Sequence, residues 1–253
     1  MCYDIKASLE AQLKRALRDG DEIAIEEITE RLAPLTDLPI YHASGFSHPE
    51  VLIYTDDSPY FPEVATWGLV PQWVTDDVQQ KKIWNNTLNA RGETLFSKPS
   101  FEASAKGNRC IIYVDGFYEH HHYKGKTYPF FIQSKSGEPL ALAGLYSDYT
   151  NDAGGHVKTF TIVTTTGNPL LAKIHNNPKL AGPRMPLILT LEDEEIWLKK
   201  YDAEGAKAHI QEVIKEYPEE HLSAFTVGRL RGKEYLGNVE GTAQQVHYPE
   251  LVF

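Results

Sequence analysis

Apolar positions recur at helical spacing near the start of the chain. Leu9, Leu13 and Leu17 form one stripe, and Ile25, Ile28 and Leu32 form another, so helix is predicted over residues 7–33. Asp19-Gly20-Asp21 lies between the stripes and predicts the turn of a helical hairpin, which Pro34 and Pro39 end. From residue 40 the pattern changes to short β-rich runs bounded by turn residues. Strands are expected at 51–55, 64–69, 109–118, 129–133, 140–146, 159–164, 187–189 and 224–227. Gly125, Ser136-Gly137 and Gly154-Gly155 punctuate hairpins. Two later helices are expected at 191–201, capped by Thr190 ahead of Glu192, and at 203–217. No repeat, low-complexity segment or long linker divides the chain. The expected architecture over residues 1–253 is a single α+β domain rich in antiparallel β.

Composition narrows the function classes. The 253 residues are 42% hydrophobic and include 14 Tyr, 10 Phe and 4 Trp, ample for a large core. The formal charge of −10 argues against a general nucleic-acid binder, which needs clustered Lys and Arg. The distribution is less one-sided. Residues 81–135 hold nine basic and four acidic side chains, a surplus of five, so the rest of the chain carries −15. A local basic groove on an acidic body is expected, with weak, salt-sensitive non-specific binding. Two cysteines, Cys2 and Cys110, build no disulfide framework, and a reducing cytoplasm is the simpler expectation. Neither a signal peptide nor a membrane-length apolar run is visible.

The chain has no G-x-G-x-x-G, Walker A, G-x-S-x-G or C-x-x-C motif. His120-His121-His122 invites a metal assignment, but neighbours on a strand point to opposite faces, so a solvated strand end and no metal or cofactor are expected. Cys2 follows the initiator Met. Once that Met is removed, its α-amine and thiol sit on adjacent carbons. An aldehyde can condense with the amine to an imine, and the thiol can close onto the same carbon as a thiazolidine. The same pair can instead act as nucleophile and base in an amide hydrolase. Three segments offer partners. Asn89-Ala90-Arg91-Gly92-Glu93-Thr94 carries an amide and a phosphate-binding guanidinium, or is a capped turn. The run from Cys110 through Asp115-Gly116 to Glu119 is a strand with a bulge, ending on a carboxylate suited to proton transfer or simply exposed. Ile174-His175 places a candidate acid/base before a polar loop.

Together these segments resemble the SRAP family, named for SOS response-associated peptidases. The matching residues are Met1-Cys2, Trp67-Gly68-Leu69-Val70-Pro71-Gln72-Trp73, Asn89 to Thr94, Arg109-Cys110 leading to Asp115-Gly116-Phe117-Tyr118-Glu119, and Pro129-Phe130-Phe131-Ile132. They continue with Ala143-Gly144-Leu145-Tyr146, Phe160 to Thr165, Ile174-His175 and Arg184-Met185-Pro186, in the family's order. The resemblance implies a β-rich domain, with a barrel-like sheet core and peripheral helices, that recognises abasic sites in single-stranded DNA and shields them through a thiazolidine crosslink at the N-terminal cysteine. It implies Cys2 as nucleophile, Asn89 positioning the amine or sugar, Glu119 shuttling protons, and His175 assisting opening of the deoxyribose. Arg91 and Arg184 would hold phosphates, with Trp67 and Trp73 as stacking or core residues. It also implies autocatalytic removal of residues before Cys2, lyase-like or peptidase chemistry, a monomer, and a cytoplasmic protein associated with the nucleoid when on DNA.

Four features depart from the family. Tyr3-Asp4 follows Cys2 where the family has Gly-Arg, placing a carboxylate where an arginine would contact phosphate. The segment 7–33 is a long helical insertion, His120 replaces a tryptophan, and 176–183 is an inserted loop that would shift Arg184 or add contacts. Two alternatives stay open: an N-terminal-nucleophile cysteine peptidase or amidase, and a DNA-binding module that has lost its chemistry.

Overall fold

The apolar run expected as one strand over 109–118 changes sheets at Asp115. In the computed structural model, which describes residues 2–202 and 205–251, the strands in chain order are β1 (Asp4–Ala7), β2 (Ile40–Ser44), β3 (Glu50–Thr55), β4 (Glu63–Trp67), β5 (Asn89–Arg91), β6 (Arg109–Val114) and β7 (Gly116–Tyr123). They continue as β8 (Lys126–Ser134), β9 (Leu140–Thr150), β10 (His156–Thr166), β11 (Arg184–Pro186), β12 (Ile188–Leu189) and β13 (Leu222–Thr226). β10 pairs with β9 on one side and, in parallel, with β4 on the other, so β10-β4-β3-β6-β9 closes into a five-stranded barrel. Closure leaves those strands without free edges. Short β5, β11 and β12 lengthen the barrel wall. The second sheet is open and antiparallel, in the order β13-β8-β7-β1-β2.

β6 is buried along its whole length, which is why it reads as an unbroken apolar run. Its alternation survives inside the core: Cys110, Ile112 and Val114 enter one apolar cluster, while Ile111 and Tyr113 enter another. At the corner the Asp115 carboxylate accepts the Ser8 N–H at 2.5 Å and the Ser8 hydroxyl at 2.9 Å. The next residue must be glycine, since a Cβ on Gly116 would lie 2.4 Å from the Ile132 carbonyl oxygen. Gly116→Ala is therefore expected to cost about 1–3 kcal/mol, read as a lower urea midpoint with an unchanged slope.

The segment expected as helix over 7–33 is helical only from Leu9 and is broken; Ala7 ends β1 and Ser8 caps the first helix. Helices Leu9–Gln12, Lys14–Asp19 and Glu22–Glu27 are followed by a π turn, with the expected reversal at left-handed Gly20. It is also built into the barrel. Leu13, Ala16, Ala24 and Ile28 pack with Leu52 of β3. The Gln12 amide accepts the Leu52 N–H at 2.6 Å and donates to the Tyr113 carbonyl, bridging β3 and β6 beyond the end of their pairing. Ser136-Gly137, expected in a hairpin, instead carries the chain from one sheet to the other, because β8 and β9 have different partners. Thr190 caps helix Leu191–Leu198 in a box with Asp193, not Glu192. The last long helix spans Gly205–Val213; its expected start at Ala203 lies outside the described residues. No helix among them is long and apolar enough to cross a membrane.

Candidate functional site

β1 lies between β2 and β7, with Asp4 opposite both Ser44 and Tyr118. That register brings Tyr3 and Cys2 to the level of Glu119 on β7. Cys2 does not fray into solvent: it is 1% exposed. Burial pushes its thiol pKa well up, with the charges of Glu119 and Asp4 adding to the effect, so the sulfur is held as a neutral thiol. Met1 lies outside the described residues.

Glu119 is 8% exposed. Burial raises its pKa, and the backbone N–H of His120, donating to Oε1 at 2.9 Å, works against that rise. His175 ends the helix Pro169–Ile174, which Asn168 caps and buried Leu171 and Ile174 anchor. The Arg184 backbone N–H donates to His175 Nδ1 at 3.0 Å. The neutral ring then carries its proton on Nε2, which faces Glu119 Oε2 at 3.9 Å. Burial first, then nearby positive charge that includes Arg184, pushes His175 down to about 4. A neutral imidazole N–H thus confronts a carboxylate whose protonation burial favours. At 3.9 Å the two are too far apart for a direct hydrogen bond, and each can meet a group placed between them. Both line a cavity of about 350 Å³ with Tyr3, His122, Leu180 and Arg231.

The other expected residues divide. Asn89 sits on β5 opposite Ile162 of β10, and both polar atoms of its side chain are buried without a hydrogen-bond partner among the described residues. Arg91 is exposed, and its charge reaches the Tyr3 phenol, which also feels Glu119. Arg184 stays on the barrel despite the inserted loop, pairing with Thr166 through β11. Its guanidinium, expected on a phosphate, grips Glu93 at 2.6 and 2.9 Å and the Thr164 carbonyl at 2.7 Å. Trp67 is a core residue and not a stacking surface: it is fully buried, donates to the Leu88 carbonyl at 2.8 Å and stacks near Phe160. Trp73 is 50% exposed, bonds the Pro99 carbonyl at 3.4 Å, and does not line the cavity.

The histidine run is not a solvated strand end. His121 points away from the cavity and donates through Nδ1 to the Lys173 carbonyl at 2.8 Å, while His120 and His122 line it. Among the described residues no group of three or more His, Cys, Asp or Glu is placed to hold a metal ion. The inserted loop adds contacts. Asn176 binds the His122 backbone at 2.7 and 3.0 Å, and Asn177 and Leu180 form part of the cavity wall. Asp4 is not a bare carboxylate at the mouth; it is 3% exposed and held by His42 at 3.1 Å and Arg231 at 3.3 Å. Sequence reasoning missed Arg231, Tyr3 and Glu93. Glu93 and Tyr3 lie within or beside the motifs already named, whereas no local signal marks Arg231.

The same arrangement of strands recurs in solved proteins. A Bacteroides thetaiotaomicron protein superposes with a TM-score of 0.80 at 30% identity, covering 97% of this chain and 100% of its own. A Bordetella bronchiseptica protein, 22% identical and covering 89% of this chain and 99% of its own at a TM-score of 0.70, shows the fold alone. Among curated relatives, abasic site processing protein YoqW of Bacillus subtilis is 38% identical over 165 residues, 65% of this chain and 68% of that protein. Abasic site processing protein HMCES of Pongo abelii is 29% identical over 254 residues, 86% of this chain and 68% of that protein. A model of the SOS response associated peptidase (SRAP) family matches residues 2–233, a span that opens on Cys2 and takes in Asn89, Glu119, His175 and the strands that carry them, and the chain belongs to that family.

Proposed function

We propose that the protein binds single-stranded DNA at abasic sites and, once Met1 is removed, joins itself to the lesion through Cys2 as a thiazolidine. The observation that carries this is a buried second-residue cysteine that feels the charge of Glu119, a buried carboxylate sharing one cavity with the neutral His175. The relatives named abasic site processing proteins support the substrate class.

The chemistry follows from the protonation states. An abasic deoxyribose is mostly a closed hemiacetal, so a proton must leave its hydroxyl while another reaches the ring oxygen. His175 and Glu119 flank the space where that exchange occurs. The Cys2 amine adds to the freed aldehyde carbon. Glu119 in its acid form protonates the departing hydroxyl, so water leaves, an iminium remains and Glu119 is left as a carboxylate. The Cys2 sulfur then bonds to the same carbon while the C=N electron pair returns to nitrogen, and the thiol proton passes to the Glu119 carboxylate, which restores its acid form. Aldehyde and aminothiol give thiazolidine and one water. The raised thiol pKa makes the amine the first nucleophile, and it disfavours the peptidase alternative, which needs a thiolate or a base-activated thiol. Asn89, whose amide has no hydrogen-bond partner among the described residues, positions the amine or the sugar. Asn89→Ala is expected to leave stability within about 0.5 kcal/mol, since no hydrogen bond is lost, while slowing crosslinking roughly tenfold; thermal melts and gel-resolved time courses check both.

The test is incubation of Met1-free protein with a single-stranded oligonucleotide bearing one abasic site, beside an intact oligonucleotide and a peptide panel. A denaturant-resistant adduct confined to the abasic strand is expected. Peptide turnover without an adduct would replace the proposal with the peptidase.

A further inference from the structure

The basic surplus of residues 81–135 does not assemble at the cavity. Arg109 is buried against Asp56 and backbone carbonyls, Lys106 pairs with Glu102, and Lys126 lies 3.6 Å from Glu250. The guanidinium at the opening comes from far along the chain. Arg231 follows Leu230, which is 2% exposed and packs with Tyr118, Phe131 and Val227 on the open sheet, so its backbone is anchored. Its side chain remains 61% exposed while Nη2 rests 3.3 Å from Asp4 Oδ2. That one contact leaves most of a five-donor fork facing outward. Asp4 is fixed in turn by His42, whose Nδ1 meets the Tyr235 hydroxyl at 2.6 Å.

A second cavity of about 620 Å³ adjoins this chain of contacts, lined by His42, Ser44, Ser47, Tyr235 and Asn238. Among the described residues Arg231 alone lines both it and the cavity of Glu119 and His175. A polyanion entering the site meets the carboxylates of Asp4 and Glu119 and needs a cation between them and its phosphates. Resting on the function proposed above, we propose that Arg231 binds the phosphate next to the abasic nucleotide, and that the single strand leaves the site over Arg231 into the cavity of His42, Ser44 and Tyr235.

The test reads binding without crosslinking. In a Cys2→Ser background, a fluorescein-labelled single strand carrying a tetrahydrofuran abasic analogue is titrated by anisotropy at several salt concentrations. Arg231→Gln is expected to weaken binding about fivefold to tenfold at low salt and to flatten the plot of log K against log salt by about 0.7, one phosphate on a single strand. Arg231→Lys should restore that slope. Asp4→Asn, which deletes the opposing charge and frees the guanidinium, should bind at least as tightly as its parent. An unchanged slope in Arg231→Gln overturns the proposal, and so does weaker binding in Asp4→Asn, which would mean that Arg231 serves only to hold Asp4. A protein that shows the Arg231-dependent slope but never crosslinks would keep this phosphate site and lose the proposed reaction; one that crosslinks with an Arg231-independent slope would do the reverse.

Discussion

Cys2→Ser is expected to abolish the denaturant-resistant adduct, a loss of at least about 100-fold in yield. Serine keeps the α-amine, so an imine still forms. Its hydroxyl is a far poorer nucleophile toward that imine and closes to a ring that reopens readily. The imine then hydrolyses when the protein is denatured. Borohydride should therefore trap an adduct in Cys2→Ser, and should trap none at this position in protein that retains Met1, whose residue 2 nitrogen is an amide. Cys2 is 1% exposed, so a buried serine hydroxyl that finds no partner costs about 1–3 kcal/mol. Cys2→Ala, with no group to bury, is the folding control: it should melt near wild type and give no denaturant-resistant adduct. An adduct that survives in Cys2→Ala places the chemistry on another residue.

Glu119→Gln is the second large effect. The carboxyl is asked to donate a proton to the leaving hydroxyl and later, as a carboxylate, to take one from sulfur. A glutamine amide does neither, so crosslinking should slow by roughly 10²–10⁴. Stability should move the other way, by about 0.5–2 kcal/mol, because Gln can still accept the His120 N–H and removes a charge that burial disfavours. The sign has a pH signature. The native pKa of Glu119 is raised from the ordinary value of 4.5 by burial. Below 4.5 the group is protonated in both states and costs nothing. As pH rises through 4.5 and on through the native value, the unfolded state ionises first and native stability falls. The advantage of Glu119→Gln should therefore be present near neutral pH and vanish below about pH 4.5. Chemical denaturation of both proteins across that range measures it; an advantage independent of pH would mean that the gain comes from packing.

The residues of the candidate site were more legible in the sequence than their setting. Glu119 and His175 are brought together as expected, because the motif around Gly116 fixes β7 and the apolar run before His175 makes a buried helix. β1 was not legible. Four residues without a turn signal become a strand only because β2 and β7 lie on either side, and that insertion is what buries Cys2. Whether Trp67 stacks on a ligand or fills the core is open in the sequence, because an aromatic before a glycine carries no information about closure of the barrel; its ring fills the core once β4 meets β10. Asp115-Gly116 was legible as a break, but only the second sheet turns a bulge into a corner. Charge was the least legible. Counting along the chain suggested a basic groove, yet ion pairs consume several of those side chains, and the cation at the opening is Arg231, placed by a contact with Asp4 that only the tertiary fold makes.

The central claim is that carbon 1 of the abasic sugar ends up bonded to both the nitrogen and the sulfur of Cys2. Intact mass spectrometry of the adduct, followed by proteolysis and fragmentation of the N-terminal peptide, tests it most directly. The expected species is the Met1-free protein plus the oligonucleotide less one water, with the modification confined to Cys2 and no free thiol there on alkylation. An adduct on another residue, a Cys2 that still alkylates, or a protein that retains Met1 and crosslinks all the same would contradict it.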